Sequence, residues 1–154
     1  MIDTRRVSRR TDLHLERPRD ILAEAERCGP DAGTRGNWTP AQIVDHLAAF
    51  MHAARTGFGF KAPLPLRLVF GRMKNRVTRS RPPAGIRLRG GLARFAPDPE
   101  VTWDEAIGRL RSEVEAVEAG ERYDQPSPLF GPLSHEQWVG LHCRHAEHHL
   151  GFLD

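Results

Sequence analysis

A chain of 154 residues with 39% hydrophobic and 28% charged residues is sized for one apolar core, and its two cysteines, Cys28 and Cys143, supply no disulfide framework that would replace one. The formal net charge of +3 hides an uneven distribution: residues 61–94 hold ten Lys/Arg and no Asp or Glu, leaving 13 basic against 20 acidic residues elsewhere. No apolar run is long enough to cross a bilayer, and the start MIDTRRVSRRTDLHL lacks the apolar stretch of a signal peptide, so the expectation is a single cytoplasmic domain over residues 1–154 with reduced thiols and no membrane partner.

A first helix is predicted over residues 12–28, with Ile21, Leu22 and Ala25 inward and Gly29-Pro30 as its stop; Pro18 interrupts the part before it. Three further helix starts share one form. Thr39-Pro-Ala-Gln42, Thr102-Trp-Asp-Glu105 and Ser134-His-Glu-Gln137 are capping boxes, in which a hydroxyl takes the amide three residues on and the Gln or Glu side chain returns to the cap amide. They open predicted helices over 39–57, 102–119 and 134–151. The second helix carries Gln42, Ile43, His46, Phe50, Ala53 and Gly57 on one face, and the third carries Ile107, Leu110, Val114 and Val117 at helical spacing.

Residues 58–100 between them are rich in Pro, Gly and Arg. They read as a partly irregular crossover with a short helix near 66–77 and a loop at RPPAGIRLRGG. No run alternates in the manner of a strand. The fold class expected is all-α, an antiparallel four-helix bundle with a long crossover between its second and third helices.

The closing stretch RHAEHHLGFLD concentrates imidazoles. On a helical wheel Trp138, His142, His145, His149 and Phe152 share one narrow face, with His148 on its flank. His46 sits mid-stripe on the second helix. Two histidines four residues apart can chelate one ion, and a third from a facing helix completes a set with open positions. A single inward histidine is commonly a hydrogen-bonded core residue, but several buried neutral imidazoles would each need a separate partner. His46, His145 and His149 are therefore the metal-site candidates, and their imidazole nitrogens should converge within about 3–4 Å of one another. His142 remains open as a ligand, an outer partner or a proton shuttle, and His148 stays beside it as a further imidazole. His14, His52 and His135 are read as surface residues.

The stretches GNWTPAQIVDHLAAFM, LFGPLSHEQW and LHCRHAEHHLGFL resemble the DinB/YfiT-like metalloenzyme superfamily, in one of its branches of unknown function. The resemblance runs nearly the length of the chain and implies a four-helix bundle. It also implies a divalent metal, nickel or zinc, on His46, His145 and His149, and for some relatives a low-molecular-weight thiol used by transferases or isomerases.

Three neutral ligands leave a divalent ion its full charge, which suits a thiol-dependent transferase or a metal-assisted hydrolase acting on a small-molecule substrate. No partner acid or base stands out. On the wheel Asp45 and Glu147 point away from the histidines and read as solvent-facing, and Cys143 lies about 140° off the core face and reads as an inert thiol. Trp38, just before the second capping box, is expected to pack back on the first turn of its helix. Phe58, Phe60 and the basic segment after them could close over the site mouth. Two other readings stand: a metal- or ligand-binding module without turnover, and, more weakly, a nucleic-acid binder, since the basic residues come with no recognition motif. Homodimerisation is left open.

Overall fold

The computed structural model describes residues 2–85 and 88–154. Ile86 and Arg87, inside the predicted loop at 81–91, lie outside the described residues. Among those described, the fold is all-helical, with no strand. Five α-helices follow in order: α1 (Pro18–Cys28), α2 (Pro40–Thr56), α3 (Leu64–Val77), α4 (Trp103–Glu118) and α5 (His135–Leu150), with 3-10 turns at Thr4–Arg6 and Gly90–Phe95.

The three predicted capping boxes all form. Gln42 N–H donates to Thr39 Oγ1 at 3.2 Å while Thr39 N–H donates to Gln42 Oε1 at 3.0 Å, and the same exchange opens α4 and α5. Each box satisfies amides that the first helical turn leaves without partners. α1 is shorter than predicted. It begins at Pro18, whose missing N–H is harmless at the first position, and Asp20 accepts the amides of Glu16 and Arg17 at 3.0 and 2.9 Å. Residues 7–17 form no helix, yet Leu13 and Leu15 are buried from there.

α2 packs on α4, α4 on α1, α1 on α5 and α5 on α2, so the four contacts close a ring. Inside it lie Ile21 and Ala25 of α1, Ile43, Val44, Leu47 and Met51 of α2, Leu110 and Val114 of α4, and Trp138 and Leu150 of α5. Trp138 is fully enclosed and donates its indole N–H to the Gln125 carbonyl at 3.0 Å.

The crossover runs along α5. Gln137 Nε2 donates to Asn75 Oδ1 at 2.9 Å, and a side chain at Gly140 would meet the Thr78 carbonyl at 2.8 Å, so the close approach there requires glycine. Further on, Arg81 donates to Glu147 at 2.7 Å and Pro82 reaches His148. Arg81 also donates to the carbonyls of Arg10, Thr11 and Leu13. Part of the basic segment is thus built into the body.

Asp45 and Glu147 are buried, which corrects the reading of both as solvent-facing. α2 lies between α4 and α5, and α5 is covered on a further face by the crossover and by the segment before α1, so each buries more than one stripe. Asp45 accepts from Arg109 of α4 at 2.5 Å. Glu147 accepts from Arg81, from Arg144 and from the Leu15 amide at 2.9 Å. Cys143 is buried for the same reason, and burial pushes its thiol up to about 12, which keeps it inert.

Candidate metal centre

α2 and α5 bring His46, His145 and His149 together. One ring nitrogen from each falls within a set whose members all lie within 4.8 Å of one another. His145 Nε2 is the hub, 3.2 Å from His46 Nε2 and 3.1 Å from His149 Nε2. Nitrogens bound at about 2.0–2.1 Å to one ion stand roughly 3 Å apart, so these spacings match a shared donor set. His46 is buried, while His145 and His149 are half-buried as whole residues.

The protonation pattern follows from the partners. His46 Nδ1 lies 2.6 Å from the Phe95 carbonyl, which can only accept, so Nδ1 carries the proton and Nε2 presents a lone pair. An outer carbonyl that sets tautomer and ring orientation in this way is the usual companion of a metal-bound imidazole. His145 Nε2 faces two neighbours, and a single N–H can point at only one. Neutral rings therefore leave one nitrogen contact unmet, whereas one cation accepts three lone pairs together. His145 Nδ1 is buried with no partner.

Burial lowers the pKa of His46, against the opposing pull of the Phe95 carbonyl and the Asp45 charge. Burial, then the adjoining imidazoles, hold His145 and His149 well below the ordinary histidine value. The cluster is neutral at pH 7, the state in which imidazole coordinates.

His142 and His148 stand outside the cluster. His142 is buried against Trp138 (centroids 5.3 Å, 16°) and Tyr123 (4.6 Å), with its Nε2 unpartnered and its pKa pushed down to about 3 by burial. His148 Nδ1 meets Arg9 at 2.5 Å and the Pro82 carbonyl at 3.0 Å. Of the histidines expected at the surface, His14 and His52 are exposed, and His52 contacts Glu113 at 2.7 Å. His135 is half-buried instead, because its Nδ1 accepts the Tyr123 amide at 3.0 Å.

Two contributors were not foreseen. Trp38 stacks on His149 (5.4 Å, 16°) and tilts over His46 (4.9 Å). A backbone pairing puts it there: Arg35 N–H donates to the Phe152 carbonyl at 2.9 Å and Asp154 N–H to the Gly33 carbonyl at 3.0 Å, tying the chain before α2 to the end of α5. Phe95, from the 3-10 turn, is the other. Nothing in the sequence marks its carbonyl, since any residue carries one. Phe58 is not a lid. It is buried in the core, stacked on Trp138 at 5.6 Å.

No curated protein and no solved structure matches the chain. The model of a family described as protein of unknown function, DUF1569, matches residues 7–154, and the chain belongs to that family.

Proposed function

We propose that this protein is a metal-dependent enzyme whose His46, His145 and His149 hold one divalent ion, nickel or zinc. The observation that carries the reading is the convergence of three ring nitrogens, two pairs of them at 3.1 and 3.2 Å, with the His46 lone pair aimed inward by the Phe95 carbonyl. The donor set fits borderline metals: neutral imidazoles, no carboxylate and no thiolate. When bound, such an ion supplies a Lewis acid for a transferase acting with a small thiol or for a hydrolase.

The chain's own residues do the rest. Phe95 and Trp38 hold the rings of His46 and His149, and the aromatic wall of Trp38 and Phe50 keeps water from two sides of the cluster. We read the ring of α1, α2, α4 and α5 as one antiparallel bundle domain of the DinB/YfiT type, in keeping with the sequence resemblance.

Elemental analysis of the purified protein tests the site. Wild type should carry close to one nickel or zinc per chain after loading and dialysis. His46→Ala should lower affinity at least about 100-fold, because two imidazoles remain where three converged. A triple alanine variant that binds either metal as tightly as wild type refutes the assignment. Stoichiometric metal with no turnover of thiol conjugates or esters would leave a binding module in place of an enzyme.

A further inference from the structure

α3 is chemically unlike the rest of the surface. Among the described residues, the exposed large hydrophobics are Leu64, Leu66, Leu68, Val69 and Met73, all on α3, and Ile2. Leu64 is 62% and Val69 58% exposed, and α3 buries no residue at all. It rests on the body through Phe70 against Phe130, with ring centroids at 6.2 Å, and through Asn75.

Its charges are equally unanswered. Lys61, Arg67, Arg72, Lys74, Arg76 and Arg79 make no ion pair among the described residues, whereas most arginines of the body do. No acid occurs anywhere in residues 61–94 to supply one locally.

At about 100° per residue, Leu66, Val69 and Met73 form one stripe; Arg72 and Arg76 flank it, and Leu64 and Leu68 lie beyond them. A second copy is a poor occupant, because a two-fold contact would set these cations against themselves. Nucleic acid would neutralise the arginines but leave the stripe in water. A protein groove takes one continuous apolar stripe, and here arginines divide two. An anionic bilayer answers both features. Its acyl boundary receives the apolar side chains and its headgroups the guanidinium tips, the arginine stems bridging the two depths.

We propose that α3 docks this protein onto membranes that carry anionic lipids. The helix lies on the bilayer; no helix of the described residues is long and apolar enough to cross one.

Sedimentation of the full chain with vesicles tests it. One set is phosphatidylcholine alone, and the other has about a third phosphatidylglycerol. We expect binding to the second set only, weakened by salt. Each cation near such a surface strengthens binding about fivefold, so Arg72→Gln with Arg76→Gln should weaken it about 25-fold. Val69→Asp with Met73→Asp should abolish it. The control, Arg19→Gln with Arg111→Gln, removes the same charge from the body and should bind as wild type. Circular dichroism verifies the fold of each variant.

Equal binding to neutral vesicles, no binding to either set, or an equal loss in the control overturns the proposal. So does a dimer, a nucleic-acid complex or an acidic-protein complex that depends on the same α3 residues in the absence of vesicle binding.

Discussion

α5 and α3 are close in length, 16 and 14 residues, and both mix apolar with basic side chains, yet they end in opposite environments. α5 is wedged between α1 and α2 and buries eight residues, Glu147 among them. α3 buries none. On α5 the buried carboxylate is met by two guanidinium groups and an amide, the condition under which a charge tolerates burial. His145 and His149 on the same helix are met chiefly by one another and by His46. On α3 the charges meet no acidic partner among the described residues; Arg72 donates only to the Leu68 carbonyl of its own helix, at 3.1 Å. The two helices thus carry two kinds of unanswered group: imidazoles buried without adequate partners, and cations exposed without acids.

The sharpest break in that comparison is Glu147→Ala. It would leave Arg81, Arg144 and the Leu15 amide around an empty position and release the crossover from α5. A loss of about 3 kcal/mol is expected in urea unfolding, as for other half-removed buried pairs. If stability hardly changes, the buried pair does not anchor the crossover.

An intermediate effect belongs to His142, whose pKa burial pushes down to about 3, below the ordinary histidine value of 6.5. The unfolded chain then takes up the proton first. The contribution of neutral His142 is therefore intact above about pH 6.5 and is lost as pH falls toward 3. His148, pushed to about 4 by burial and by Arg9, acts in the same direction. His142→Phe keeps an aromatic ring and removes both the titration and the unpartnered Nε2. Stability at pH 7 should hold or rise by about 1 kcal/mol, and the acid-side slope should flatten. An unchanged slope in unfolding curves from pH 7 to 4 would contradict this.

The smallest effect is expected on α3. Leu66→Ser with Val69→Ser should move stability by no more than about 0.5 kcal/mol, because these side chains already face water. A loss above about 2 kcal/mol in thermal or denaturant unfolding would mean that α3 is part of the core after all.

Much of this was legible in the sequence because its signals are local. A capping box joins residues three apart, and the pairing of His145 with His149 follows from one helical turn, so neither depends on what packs nearby. The three boxes and the end of α1 at Gly29 were readable for that reason, as was the inward position of His46. The errors share one cause. Asp45 and Glu147 read as solvent-facing on a wheel that allows a helix a single buried stripe, whereas α2 has two helical neighbours and α5 is covered on a further face by the crossover and the segment before α1. The start of α1 was placed too early because Leu13 and Leu15 are apolar and buried without being helical.

What residue order determined by itself is where helices begin and which imidazoles share a face, since backbone geometry and side-chain capping act over three or four residues. Which faces became interior, and what surrounds the imidazoles, came only from the packing of distant segments. Phe95 reaches His46 across 49 positions, Trp38 is set over His149 by the pairing of residues 33–35 with the chain end, and Arg81 reaches Glu147 across 66. A carbonyl has no sequence signature, and an arginine reads alike whether it ends in a carboxylate or in water. Their roles are decided by closure of the ring, where burial makes each partner obligatory.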